Sequence, residues 1–531
     1  MFLTLITTIL ASASVSVYNP RIPVILDREY NVVSEIVIPG TGSGTTSGEV
    51  EVSLEGIPLK AVKDVKLVYI GTISPILSRT KSNVMRDHFA DWGSGQGDWY
   101  GPRSTITDFS MKPKSRTFTL PFERTLVKGD NHFYVSMSIS SKDIDLTGTF
   151  SCKVNSVALD GVKASIKEQG PSDGRRYAIA LRNHGDDGVD SYRIPGLVTL
   201  KNGDLMAVYD IRWTTSFDLQ ADIDIGFQVS LDHGRTWGKM KVAMDMGEYG
   251  GLPKDQNGTG DPCVLVDDKT GDIYIFAIWA HGLEGSYSIF NSKTGLDPSD
   301  VAQMVMVKST DGGRTWSKPV NLTPSVKDPS WSTIFQGPGR GITMQDGTLV
   351  VPIQIWDKDK VPSAGIMYSK DRGENWTVSE MAAVNVCEDQ VVEIEPGVLM
   401  LNMRNHGVAD RDRKVCLSRD LGKTWTPLAE DPVLGPVEPL VEPVCQASLL
   451  KAEDVLLFAN PATDKARNMF TLKASRDSGR TWPYSLLLDE ESGWGYSCMT
   501  MIDPDTVGIL YEGSTSQLVF QAVKLSDLLS R

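Results

Sequence analysis

Four arginines, three carboxylates and one tyrosine stand where the local pattern of the chain does not ask for them. Arg193 sits in "YRIPGLVTL", just before a strand-like run, with Pro195 fixing the bend. Arg212 follows in "VYDIRW" and Asp218 in "TTSFDLQADIDIG". "CEDQVVEIEPGVLMLNMRN" sets Glu388 ahead of one strand and Arg404 at the end of its hairpin partner. Arg467 lies in "ATDKARNMFTLKAS", and Tyr496 and Glu512 lie in "GWGYSCMTMIDPDTVGILYEG". Guanidinium groups hold anions, carboxylates move protons, and a phenol needs a base before it can attack. Singly each is a weak signal, because a lone arginine is ordinarily a solvated surface residue. Asp222 and Asp224 compete with Asp218, and "PRIPV" around Arg21 repeats three letters of the Arg193 segment without its downstream partners. Chemistry follows only if the fold brings these scattered residues to one place.

A repeat supplies that fold. The octamer "SLDHGRTW" from Ser230 returns as "STDGGRTW", "SKDRGENW", "SRDLGKTW" and "SRDSGRTW", beginning at Ser309, Ser369, Ser418 and Ser475. The aspartates Asp232, Asp311, Asp371, Asp420 and Asp477 are 49 to 79 residues apart. That spacing suits four-stranded propeller blades. Asp and Ser can bond nearby backbone N–H groups, Gly accepts positive φ, and Trp can anchor the hairpin. Five copies of one motif are architecture, not a catalytic site. From about Arg175 to Arg531 the length suits six blades, one of them without the octamer and closed by strands from both chain ends. The expected fold is all-β: a six-bladed β-propeller preceded by a β-sandwich. A site at the mouth of a propeller draws one or two residues from each blade, which explains why the candidates are scattered.

The YRIP segment, the five octamers (Asp boxes, or BNR repeats), the E-D-Q-V-V-E stretch, the arginine before the last octamer and the late "GYS…LYE" together resemble a bacterial exo-sialidase (neuraminidase). The resemblance covers the propeller, about two-thirds of the chain, in the same order throughout. It implies that Arg193, Arg404 and Arg467 grip a substrate carboxylate, for which guanidinium forks are well suited. It makes Tyr496 the nucleophile, Glu388 its base, Asp218 the acid/base and Glu512 the carboxylate that orients Arg193. A neutral phenol suits an anomeric centre bearing a carboxylate, and tyrosine nucleophiles set sialidases apart from paired-carboxylate glycosidases. Arg212 and Asp261 (in "GTGDPCVLV") are implied contacts to the O4 region of the sugar, and Asp261 reads equally well as a turn residue before Pro262. The implied activity is retaining hydrolysis of terminal sialic acids on glycoproteins, glycolipids or oligosaccharides through a tyrosyl-sialosyl intermediate. The alternatives are a trans-sialidase, an enzyme releasing an anhydro product, or a non-catalytic glycan-binding propeller. The last would need neither nucleophile nor base. Gly-rich segments between the first two octamers are expected to rim the site.

Composition bounds the rest. The chain has 531 residues, too many for one ordinary core, and a net charge of −14 that argues against nucleic acid as a partner. Any anionic substrate must therefore meet a local basic cluster. Residues 1–17 read as a signal peptide, which implies a periplasmic or secreted protein, and no run is long enough for an integral membrane segment. Six cysteines and six histidines show no metal spacing, so neither metal nor cofactor is expected. Residues 18–166 alternate as strands and read as a carbohydrate-binding-like β-sandwich. Residues 167–176, "KEQGPSDGRR", read as a linker, and 177–531 as the catalytic propeller.

Overall fold

A computed structural model describes residues 14–72, 106–285, 288–407, 411–431 and 437–530. The chain divides into two compact units, with the break after Tyr177.

The first unit is a β-sandwich. One sheet runs in the order Ser165–Gln169, Ser14–Tyr18, Val32–Gly40, Gly129–Ile139, Val62–Gly71 and Ile106–Met111. In the other, Thr46–Glu55 is flanked by Thr117–Arg124 and Thr149–Leu159. Strict alternation explains the facing: in Thr117–Arg124, Phe118, Leu120 and Phe122 are buried and the residues between them are exposed or half-exposed. Two boundaries differ from the sequence reading. Ser14–Tyr18 overlaps the expected leader, yet it is a paired strand with Val15 and Val17 buried. Ser165–Gln169 overlaps the expected linker and pairs in parallel with that same strand. Pairing across some 150 residues gives this polar segment a partner that its own composition does not announce. The connection proper shrinks to residues 170–174.

The second unit is a six-bladed propeller. Blade 1 comprises Ser191–Thr199, Leu205–Arg212, Ile223–Ser230 and Lys241–Met244. Blade 2 comprises Thr259–Val266, Ile273–Trp279, Gln303–Ser309 and Val320–Asn321, and blade 3 Thr333–Gln336, Leu349–Trp356, Pro362–Ser369 and Thr377–Val378. Blade 4 comprises Val386–Glu395, Val398–Asn405, Lys414–Ser418 and Thr426–Pro427, and blade 5 Ser448–Ala452, Val455–Pro461, Phe470–Ser475 and Tyr484–Asp489. Blade 6 takes Ser497–Asp503, Thr506–Tyr511 and Leu518–Lys524 from late in the chain. Its outer strand is Arg175–Arg182, in which Ile179 pairs with Phe520. The C-terminal end takes part in the closure as expected, but its partner comes from the start of the propeller and not from the N-terminal end of the chain, and this is the blade without an octamer.

Each octamer joins the third and fourth strands of blades 1 to 5. In the first, Ser230 Oγ donates to Asp232 Oδ1 at 2.9 Å and accepts from the Gly234 N–H at 2.8 Å. Asp232 in turn accepts from Thr236 N and Thr236 Oγ1 at 2.8 and 2.7 Å. The same bonds recur around Asp311, Asp420 and Asp477, and around Asp371 with the Asn375 amide nitrogen in place of the threonine hydroxyl. Gly234 is required twice over: its φ is 85°, and a Cβ there would lie 2.1 Å from the Phe520 ring. The tryptophans reach the preceding blade. Trp237 meets Phe520 of blade 6, Trp316 meets Phe227 of blade 1, and Trp376 meets Phe276 of blade 2, all edge to face at 5.2–5.6 Å. The octamer therefore closes a turn and rivets neighbouring blades together.

Candidate active site

The innermost strands of blades 1, 2 and 4 each lose register near their start. The breaks fall between Arg193 and Gly196, Gly260 and Cys263, and Cys387 and Asp389. The residues in them, Ile194, Asp261 and Glu388, have φ of 59°, 57° and 35°. None is glycine, and such conformations cost about 1–3 kcal/mol each. Bulges re-aim side chains out of the strict alternation of a strand. Arg193, Asp261 and Glu388 consequently open into one shared cavity.

That cavity has a volume of about 300 Å³, and Arg193, Arg212, Asp218, Asp261, Glu388, Arg404, Arg467 and Tyr496 all line it. Every substrate-facing candidate from the sequence is thus brought together. Glu512 lies behind the wall, 2% exposed. It accepts from Arg193 Nε and the Ile194 N–H through one oxygen, both at 2.9 Å. Its other oxygen accepts from Arg193 Nη2 at 3.2 Å and from the Tyr496 N–H at 3.1 Å. The competitors of Asp218 do not line the cavity: Asp224 instead accepts from the Trp213 indole at 2.7 Å.

Two hydrogen-bonded groups occupy the cavity. In the first, the Tyr496 hydroxyl donates to Glu388 Oε1, and Arg404 Nη1 donates to Glu388 Oε2 and, at 2.9 Å, to the Tyr496 oxygen. Arg467 is anchored through Nη1 and Nη2 to the carbonyls of Trp494 and Val444 at 3.1 and 3.0 Å, and its guanidinium lies 5.4 Å from the Tyr496 ring centre. In the second group, Arg212 Nη1 donates to Asp218 at 2.8 Å while its Nε and Nη2 donate to Asp210 at 3.1 and 2.9 Å. Asp210 also accepts the Asp261 N–H at 3.0 Å. Arg193 Nη1 approaches Asp218 at 3.7 Å. Asp218 sits on the segment between two strands of blade 1 and leaves 44% of its side chain open, whereas Arg212 leaves 1%.

Burial opposes ionisation of Glu388, but Arg404 and the Tyr496 hydroxyl outweigh it and hold its carboxyl below the ordinary value. Burial and then the Glu388 charge push the Tyr496 phenol well up, so it rests neutral beside a carboxylate that can take its proton. Asp218 likewise lies below its ordinary value, because Arg212 and Arg193 overcome burial. Burial, followed by the charges of Asp210, Asp218 and Glu388, drives Asp261 well up. Burial raises Asp210 to about 6, against the opposing pull of Arg212, Arg193 and the Asp261 N–H.

The sequence reading missed further contributors. Asp210 is two residues before Arg212 in the same strand, and a charge at that spacing shares the arginine's face, which was a usable signal. Trp494 stacks 4.3 Å from the Arg193 guanidinium and lends its carbonyl to Arg467. Phe335, Gln354 and Trp356 line the cavity from blade 3, together with Ile289 and Phe290. The last two lie in one of the segments expected to rim the site. All six cysteines are buried and unpaired. Among the described residues, no group of three or more His, Cys, Asp or Glu is placed to hold a metal ion.

A six-bladed propeller whose inner strands converge on buried arginines and a tyrosine–glutamate pair defines a propeller glycoside hydrolase. The chain belongs to the BNR-repeat neuraminidase family: residues 194–506 match the BNR repeat-like domain, and residues 12–163 the N-terminal domain of BNR-repeat neuraminidase. It is 41% identical to a sialidase of Bacteroides fragilis (strain YCH46) over 541 residues, covering 99% of this chain and 98% of that one. A sialidase of Micromonospora viridifaciens is 33% identical over 353 residues, covering 63% of this chain and 52% of that one. Among solved structures, a Hadza microbial sialidase matches with a TM-score of 0.87 at 41% identity, covering 97% of this chain and 100% of that one.

Proposed function

We propose that this chain is an exo-α-sialidase that hydrolyses terminal sialic acids from glycoconjugates with retention, through a tyrosyl-sialosyl intermediate. The observation that carries the reading is the Tyr496–Glu388–Arg404 hydrogen-bonded group in a cavity that also holds Arg193, Arg467 and Asp218. The three arginines receive the substrate carboxylate. Asp218 rests as a carboxylate because Arg212 and Arg193 hold it. A bound substrate carboxylate takes up the charge of Arg193 and adds its own, which raises the proton affinity of Asp218. The acid is therefore made as the substrate arrives.

In the first step Tyr496 Oη bonds to the anomeric carbon while Glu388 takes the phenol proton. The glycosidic bond breaks, and Asp218 gives its proton to the departing oxygen. In the second step Asp218 takes a proton from water, whose oxygen bonds to the anomeric carbon. The tyrosyl–carbon bond breaks, and Glu388 returns the proton to Tyr496. Two displacements at one carbon restore the starting configuration.

A 3-fluoro sialosyl fluoride tests this, because the added fluorine slows breakdown of the intermediate. Peptide mapping should find the label on Tyr496, and Tyr496→Phe should lose several orders of magnitude in turnover while keeping its fold. A label on Glu388 or Asp218 would reassign the nucleophile. No label together with an inverted product by NMR would sink the retaining mechanism. Mass spectrometry of the released sugar separates hydrolysis from transfer and from an anhydro product.

A further inference from the structure

Asp224 has the chemistry of a general acid and no place in the cavity. It lies in the third strand of blade 1, 4% exposed, and its side chain serves two different segments. One oxygen accepts from the Trp213 indole at 2.7 Å. Trp213 opens the segment that carries Asp218, and its backbone N–H closes that segment on the Asp222 carbonyl at 3.1 Å. The other partner is Asp245. The two aspartates stand just beyond the last paired residues of their strands, Ile225 and Met244. Facing carboxyl groups tolerate each other only if one keeps a proton. Burial pushes the Asp224 carboxyl up to about 7, so in mildly acidic solution it carries that proton. Burial opposes ionisation of Asp245 too, but bonds from Lys254 Nζ at 2.8 Å, from the Gly247 N–H at 2.6 Å and from Asp224 outweigh it. Asp222 is the remaining charged group that faces Asp224.

The segment that starts at Asp245 is braced within itself. The Asn257 amide donates to the carbonyls of Tyr249 and Leu252, both at 3.1 Å. It then meets the Asp218 segment a second time, at its other root. The Gly258 N–H donates to Gln220 Oε1 at 3.3 Å, and Gln220 Nε2 donates to the Ala280 carbonyl at 2.7 Å. A Cβ at Gly258 would lie 2.2 Å from the Ala221 carbonyl, so only glycine permits that approach. Between the roots Thr214 and Phe217 are exposed, and Arg212 Nη1 holds the Ser216 carbonyl at 2.9 Å and Asp218 at 2.8 Å.

We infer that Asp224 is a positioning residue for the reaction: with Trp213 and Asp245 it clamps the root of the Asp218 segment to a braced neighbour, and so keeps Asp218 within reach of the departing oxygen. This rests on the sialidase reading.

The test compares kcat/KM on sialyl-lactose and on an aryl sialoside with an acidic phenol, at about pH 5.5, where Asp224 carries its proton. Asp224→Ala and Trp213→Phe each release the root and misplace Asp218. Each should lose about 10- to 100-fold on sialyl-lactose and about threefold or less on the aryl sialoside, because only the former needs the proton. Asp224→Asn should bring sialyl-lactose turnover back to within about threefold of wild type, since its oxygen accepts from Trp213 and its NH2 donates to Asp245. A residue that only supported the fold would lower both substrates alike. Hydrogen exchange of residues 213–222 in the full chain reads the clamp without substrate: faster in Asp224→Ala and Trp213→Phe, unchanged in Asp224→Asn. Should Asp224→Ala not fold, Trp213→Phe carries both measurements. Exchange as slow as in the wild type would overturn the proposal, and so would equal losses on the two substrates where Asp218→Ala loses unequally. Equal losses in Asp218→Ala, or a wild type inactive on both substrates, would count against the sialidase reading instead, and the exchange rates would still decide the clamp.

Discussion

Glu512→Gln changes one atom and should damage both stability and turnover. Each oxygen of Glu512 accepts two bonds: Arg193 Nε and Ile194 N on one, Arg193 Nη2 and Tyr496 N on the other, at 2.9–3.2 Å. Glutamine keeps one accepting oxygen and turns an NH2 against the other two donors, whichever way the amide is set. The Arg193 side chain, 6% exposed, is then left with Asp218 at 3.7 Å as its nearest carboxylate. Breaking a buried ion pair on one side costs about 3–5 kcal/mol. Urea unfolding should register a loss of that order. In the protein that remains folded, Arg193 is drawn toward Asp218 and grips the substrate carboxylate less well. KM should rise, and kcat/KM should fall by roughly 10- to 100-fold if about 1.4–2.8 kcal/mol of the loss reaches the transition state. The wild type should bind an unsaturated sialic acid inhibitor far better than its methyl ester, and the variant should narrow that gap. Stability within about 1 kcal/mol of wild type, with KM and the inhibitor preference unchanged, would refute the reasoning.

Four further outcomes follow from the same geometry. Asp218→Ala should lose far more activity on sialyl-lactose, whose leaving group needs a proton, than on an aryl sialoside with an acidic phenol; equal losses would reassign the acid. Glu388→Gln should lower turnover on both substrates alike, because it withdraws the acceptor of the Tyr496 proton rather than the proton donor to the aglycone, and steady-state kinetics would reveal any leaving-group dependence. Asp311→Ala should lower the melting temperature and leave turnover of the folded enzyme within about twofold, since it breaks turn bonds far from the cavity. Burial raises the Asp489 carboxyl to about 7, so its contribution to stability is full below the ordinary carboxylate range and is lost as pH rises through about 7. Asp489→Asn should flatten the fall of melting temperature between pH 4 and 8, and parallel profiles for the two proteins would contradict this.

The octamers made the propeller legible because each carries its own turn chemistry, and five copies fix a period. The site was legible because arginine, glutamate and tyrosine interrupt strands that would otherwise read as apolar alternation. What could not be read is how those interruptions are aimed. The positive φ falls on Ile194, Asp261 and Glu388 themselves, so although Gly196 and Gly260 flank two of the bulges, no glycine occupies the left-handed position in any of the three. Asp210 and Gln354 were hidden for another reason. Each sits inside a strand of hydrophobic residues, where a polar residue looks like an outward-facing position, and only the neighbouring blades make it inward. The ends of the sandwich were misjudged because Ser14–Tyr18 and Ser165–Gln169 hold each other across the length of the domain, which no local signal reports.

The closure of blade 6 sets the order in which this molecule can become an enzyme. Strand Arg175–Arg182 must wait for Leu518–Lys524, and Ile179 and its partner Phe520 are 341 residues apart. At about 5–20 residues per second, a ribosome needs roughly twenty seconds to a minute to bridge that interval. Throughout it the waiting strand keeps an edge bare, the kind of edge that invites wrong partners. A nascent chain stopped before Leu518 already carries all five octamers and every residue of the cavity. It lacks only the strand that would close the ring. The closed ring thus arrives with the final 14 residues, and a truncated translation product is a failed ring and not a weaker hydrolase.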